Sequence, residues 1–304
     1  MEIVKDFHLS RNTSIKKLVK QMYESGGFQS KNLALGIEIL KKMINDKNCL
    51  KFLSFTANIV STGTRGIIKD FIKKKFFDVV ITTAGTLDHD IARSYENYFH
   101  GNFFVDDRIL RRKGIHRLGN IFIPEKFYGL NIEKNMIKFL NEIYGENKRE
   151  LASYEFCWEI GKRIRNKDSI LHWSWKNKIP IIVPGITDGA VGYQIWQFSQ
   201  DHNFKINTLR DETLLSDLVW DSKKTGALIL GGGISKHHTI WWNQFKGGLD
   251  YAVYISTASE FDGSLSGAKP REAISWNKIK ENAEHVFVEA DVTLILPIIY
   301  LSLI

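Results

Sequence analysis

The chain has 304 residues, is 43% hydrophobic, carries a formal net charge of +8 and contains two cysteines, so it can bury a large core as one big α/β domain or two small ones. Cys49 and Cys157 form no CxxC pair and no His/Cys cluster has zinc-ligand spacing, which argues against a disulfide framework or a structural metal. The basic residues alternate with acids along the whole chain, even around the densest stretch, Arg108 to Arg117, and no DNA- or RNA-binding motif accompanies them, so a nucleic-acid partner is not expected.

The N-terminal "MEIVKDFHLSRNTSIKKLVK" lacks a signal-peptide pattern. The longest apolar run, Leu294 to Ile304, is far shorter than the roughly 20 residues that span a bilayer. A cytoplasmic protein without a membrane partner is expected. Residues 1–50 read as a helical N-terminal extension with a stripe of Leu33, Ile37, Leu40 and Ile44. Strands follow at Leu50–Thr56, Phe76–Gly85, Ile179–Ile186, Gly226–Gly232, Tyr251–Thr257 and His285–Leu296, with helical periods between them, one over Thr208–Ser222. This alternation predicts an α/β, doubly wound, mainly parallel sheet of Rossmann-like type with helices on both faces. No repeat, low-complexity tract or linker marks a boundary, so 1–304 reads as a single domain.

Five of the six strands run into turns rich in small and polar residues: Thr56–Gly63, Thr82–Asp90, Gly185–Gly192, Gly231–His238 and Ser256–Gly267. In doubly wound sheets ligands bind beyond the carboxyl ends of the strands, where helix N-termini offer N–H groups to anions. The triple glycine, Gly231–Gly233, has neither P-loop nor GxGxxG spacing. It is either a close-approach floor for a ligand or a packing turn. His237 and His238 point about 100° apart on a helix, which makes a poor metal site and leaves one of them to face a cleft. In "EAISWNKIK", Lys278 stands two residues from Trp276 after a polar loop. A desolvated lysine can attack a carbonyl or imine, and an indole face attracts cationic amines.

The stretches "TTAGTLDHDIAR", "IPIIVPGITDGAVG", "GALILGGGISKHHTI", "DYAVYISTASEFDGSLSGAKPREAISWNKIK" and "VEADVTLILP" resemble the deoxyhypusine synthase family, in family order, from about Lys51 to Pro297. The resemblance implies NAD-dependent transfer of the aminobutyl group of spermidine, through an enzyme-lysine imine, to one lysine of the hypusine-bearing translation initiation factor. Carried over by motif, Lys278 is the covalent lysine, His237 the proton acceptor at the amine, Trp276 the aromatic wall and Glu272 an acidic substrate contact. Lys236 is not the nucleophile. Asp88, His89, Tyr193, Asp262, Gly263, Ser264 and Leu265 fall at the family's other substrate positions. Ala57, Asn58, Ile59, Val60, Ser61, Thr83, Ala84, Gly85, Asp188, Gly231, Gly232, Gly233, Thr257, Ala258, Asp291 and Val292 match its NAD contacts. The family also implies a homotetramer with sites at a dimer interface.

The chain departs from the family at three acidic positions, where it has His89, Tyr193 and Leu265. Each acid of the family faces a cationic nitrogen of spermidine, and a buried charge without its partner is costly. A homospermidine synthase-like transferase, with a small diamine as acceptor, would use the same Lys278. A non-catalytic NAD-binding paralogue would tolerate the lost acids, against an intact Lys278, Trp276 and His237.

Overall fold

A computed structural model describes residues 1–304. The chain forms two compact units interleaved in sequence: Met1–Phe55, Phe76–Asp78 and Ser216–Ile304 make the first, Thr56–Lys75 and Val79–Leu215 the second. The passages fall at strand ends and inside a helical run, where composition does not change, so no linker signals them.

The first unit is built on four parallel strands in the order Ile279–Glu289, Leu249–Ser256, Lys224–Leu230 and Cys49–Phe55. Phe55 and Ile255 both lie opposite Leu230, and Ser256 lies opposite Glu289, so all four carboxyl ends share one edge. The inner strand reads as an unbroken apolar run, Gly226 to Leu230, because both its faces are covered. One face meets the helix Phe28–Asn45: a Cβ on Gly36 would stand 3.2 Å from Val253, and Met43 packs on Gly226. Leu33, Ile37 and Leu40 of the expected stripe are buried there, so this helix belongs to the core of the first unit. The opposite face, one residue out of phase, presents Tyr254 to Lys236 of the helix Gly233–Gln244. Helices therefore cover both faces, as the alternating pattern requires.

The segment His285–Leu296, expected to be one strand, divides. The strand runs from Ile279 to Glu289, and Val292–Leu303 is helical, with the Asp291 carboxylate accepting from the Thr293 and Leu294 N–H groups at its start. A uniformly apolar run has no period to separate helix from strand, and the N-cap aspartate is the signal that decides.

In the second unit Val79–Thr82 pairs in parallel with Ile181–Ile182. Both strands are shorter than expected. Pro180 and Pro184 flank the second and donate no ladder hydrogen bond, while Gly85 already begins the helix Gly85–Tyr95. Buried Asp90 ties three helices together, accepting from Arg65 Nε at 2.8 Å, Ser169 Oγ at 2.6 Å and the N–H groups of Ile170 and Leu171 at 3.0 Å. A three-stranded antiparallel sheet of Phe99–His100, Ile121–Pro124 and Ile115–Leu118 completes the unit. No helix is long and apolar enough to cross a membrane.

Candidate active site

At the common strand edge of the first unit, Gly231–Gly233 and Thr257 with Ala258 follow directly on strand ends, and Asp291 with Val292 stand one residue, Ala290, beyond a third. The three glycines have distinct reasons. Gly231 and Gly233 have positive φ, 87° and 66°, a region costly for other residues. Gly232 does not, but a Cβ there would lie 2.5 Å from Cα of Ser266. The close approach at Gly232 is therefore to the chain's own loop. Nothing stands within 4 Å of a Cβ at Gly233, so open space lies over the first residue of a 12-residue helix. The Gly233 N–H itself donates to Ser266 Oγ, and the following N–H groups of the first turn make an anion-compatible terminus.

The loop after Ser256 leads to the short helix Pro270–Ser275 and then to Trp276, Asn277 and Lys278. Asn277 takes a left-handed conformation, φ 57°, which ends the helix. Lys278 is pinned on both sides of its peptide: its N–H donates to Ala273 O at 2.9 Å and its carbonyl accepts from Leu249 N–H at 3.1 Å. Its side chain is 8% exposed, with Nζ 5.2 Å from the Trp276 ring centroid. A cavity of about 180 Å³ is lined by Lys278, Trp276, Glu272, Leu265, Tyr254 and Lys236, among others. Gly263 also reaches its wall.

His237 is half-buried and stacks on Trp241 with centroids 5.6 Å apart. Burial and then the charge of Lys278 hold its pKa below the ordinary histidine value, so the ring is a neutral base at pH 7. Asp262 and Ser264 are exposed; the Ser264 hydroxyl and then its N–H, which donates to the Asp262 carboxylate at 2.7 Å, lower the pKa of Asp262.

The second unit gathers another group of the expected residues. Ala57–Ser61 is a single 3₁₀ turn, and Ala57 N–H donates to Thr83 Oγ1 at 3.0 Å. A Cβ on Gly85 would come within 3.0 Å of the Ala57 side chain, so Ala57 and Thr83–Gly85 form one compact corner. Asp88, 2% exposed, accepts from the N–H groups of Ala190 at 3.0 Å and Val191 at 2.8 Å and from the Tyr128 hydroxyl at 2.9 Å. It caps the helix Ala190–Asp201. Burial raises its pKa despite these bonds. His89 is buried against Tyr98 and Tyr128, with its pKa pushed down to about 4 by burial, so it is uncharged. Asp188 is exposed, and Tyr193, 54% exposed, leans on Trp196 rather than on Asp88 or His89.

Lys236 and Tyr254, both in the cavity wall, were not among the expected site residues. The signal for Lys236 is its helical phase: it lies four residues before Ile240 and seven before Asn243, both fully buried. A larger groove of about 1050 Å³ lies between Met1–Lys5 and the two N-terminal helices, and holds none of the expected site residues.

The sequence profile of deoxyhypusine synthase matches residues 17–303. The chain belongs to the deoxyhypusine synthase family. It is 54% identical to a protein assigned to this family from Picrophilus torridus, over 98% of this chain and 96% of that one. A relative from Sulfurisphaera tokodaii is 52% identical, over 100% and 97%. Among solved structures, an Entamoeba histolytica protein assigned as a deoxyhypusine synthase aligns with a TM-score of 0.67 at 23% identity, covering 98% of this chain and 96% of that one, which shows a common fold. The ternary complex of AgrE with ornithine and NAD+ aligns with a TM-score of 0.55 at 11% identity, over 91% of this chain and 33% of that one. Membership of the deoxyhypusine synthase family makes the chain a transferase of hypusine formation.

Proposed function

We propose that this chain is an NAD-dependent deoxyhypusine synthase, transferring the aminobutyl group of spermidine through an imine on Lys278 to one lysine of the hypusine-bearing translation initiation factor. The observation that carries the reading is Lys278: a nearly buried amine with its backbone fixed on both sides, in a cavity that also offers an indole face and the Glu272 carboxylate.

NAD, when bound, supplies the hydride acceptor and donor that open and close the reaction. Of the residues that the family resemblance assigns to NAD, Gly231–Gly233, Thr257, Ala258, Asp291 and Val292 belong to the first unit, and Ala57–Ser61, Thr83–Gly85 and Asp188 to the second. The open helix N-terminus at Gly233 fits a pyrophosphate, and AgrE, a fold neighbour in complex with NAD+, agrees at the level of fold alone.

The chain's own residues then have defined tasks. His237, kept neutral by burial and by Lys278, accepts the proton released at the amine. The lone pair of Lys278 Nζ adds to the imine carbon derived from spermidine; the bond to the departing diamine breaks, and that nitrogen leaves with the proton lost by Lys278. The acceptor lysine repeats the exchange and frees Lys278. Trp276 offers its ring to the substrate cation, a contact of about 0.5–2 kcal/mol, and Glu272 offers a carboxylate. The reading includes a homotetramer with sites at a dimer interface, which the family resemblance implies, and a cytoplasmic setting.

The test is transfer itself. The purified protein, NAD, spermidine labelled in its butyl carbons and the initiation factor should give a labelled lysine on the factor, seen by peptide mass, only when NAD is present. Label appearing on a small diamine and never on the factor would instead make the chain a homospermidine synthase-like transferase.

A further inference from the structure

A second lysine stands in the wall of the same cavity, and the proposed chemistry does not use it. Lys236 is 2% exposed; its Nζ donates to Leu265 O and to Ala268 O, each at 2.7 Å, and lies 4.8 Å from the Tyr254 ring centroid. Burial lowers its pKa to about 8, against a raising effect from Glu272. The neutral amine still has two N–H groups, so both carbonyl bonds survive its titration. Two neighbouring contacts tie the same loop to the same helix: Gly233 N–H donates to Ser266 Oγ at 3.1 Å, and the bare face of Gly232 admits the Ser266 backbone. Residues 265–268 are thus held at three points by the first turn of the helix that carries His237. The held loop also carries Asp262, Gly263 and Leu265, the last two on the cavity wall.

We propose that Lys236 is a positioning residue that clamps the 262–268 loop to the Gly233 helix and so fixes the amine-facing loop relative to His237. The proposal rests on the reading of the Lys278 cavity as the amine site. Lys236→Met leaves the Leu265 and Ala268 carbonyls without their donor, a cost that falls on the loop, so residues 262–268 should open locally and the amine should bind more weakly. A lysine that only fills the core would lower stability with no selective effect on the loop or the amine.

The test uses the whole enzyme with NAD bound, in Lys236→Met and Lys236→Arg forms. Hydrogen exchange of peptides across 259–268 should speed up by about tenfold in Lys236→Met, with the central strands unchanged. KM for spermidine should rise by about tenfold, kcat and NAD affinity should stay within about twofold, and Lys236→Arg, which keeps donors, should recover part of the loss. Unchanged loop exchange in Lys236→Met overturns the clamp. So does a collapse of kcat at unchanged KM, which would make Lys236 a chemical participant. If Lys236→Met does not fold, Lys236→Gln, with a shorter donor, is judged by the same two readouts. If the parent does not turn over spermidine, the amine reading fails while loop exchange still judges the clamp.

Discussion

Asp88, in the second unit, lies in the first turn of the helix Gly85–Tyr95, and Lys278, in the first, lies between the helix Pro270–Ser275 and the strand Ile279–Glu289. The family resemblance assigns the one to the substrate and the other to the covalent imine. Their surroundings differ in kind. Asp88 is saturated: three donors of its own unit, the N–H groups of Ala190 and Val191 and the Tyr128 hydroxyl, occupy its carboxylate. Lys278 has a fixed backbone, but its ammonium finds only the Trp276 ring, in a cavity wide enough for a ligand. The difference separates a charged side chain that the fold itself satisfies from one whose polar end is left facing a cavity, where a ligand can meet it.

The comparison predicts opposite costs. Asp88→Ala leaves two N–H groups of a helix start and a buried tyrosine hydroxyl without their acceptor, and should lower unfolding free energy by about 2–4 kcal/mol, read by urea denaturation. A loss under about 0.5 kcal/mol, the range of a surface substitution, would break the contrast. A pH series sharpens it. Because burial raises Asp88 in the folded state, its linked contribution is full below the ordinary carboxylate range and declines as pH rises through the raised value. Asp88→Asn should flatten that slope. Glu272→Gln, at an exposed position of the cavity rim, should leave the urea midpoint unchanged and raise the spermidine KM several-fold.

Gly232→Val should have an intermediate effect that separates two uses of the triple glycine. Its side chain would meet Ser266 first, so the loop should shift and spermidine KM should rise at least as much as the NAD dissociation constant. A loss confined to NAD affinity, measured by calorimetry, would show instead that Gly232 faces the cofactor directly.

Much of this was legible in the residues themselves. The alternating strands, the glycines and the SWNK turn are local patterns, and the parallel strands with helices on both faces follow from them. What remained hidden depends on partners distant in sequence. Asp88 becomes a helix cap only because Ala190, 102 residues later, comes to it. Lys236 was set aside as the nucleophile, and its place in the cavity wall emerges only when the helix start at Gly233 sets its phase toward Tyr254. Residues 292–303 hid a helix because a nearly continuous apolar run, VTLILPIIYLSL, leaves no amphipathic period. The two interleaved units have no composition boundary at all.

The central claim is that Lys278, not the buried and loop-bonded Lys236, carries the substrate. Borohydride trapping in the presence of NAD and labelled spermidine, followed by peptide mapping, tests it most directly. The account predicts label on the peptide containing Lys278, complete loss of both label and transfer in Lys278→Ala, and NAD affinity of that variant equal to the parent's. Label on Lys236, or undiminished transfer by Lys278→Ala, would contradict it.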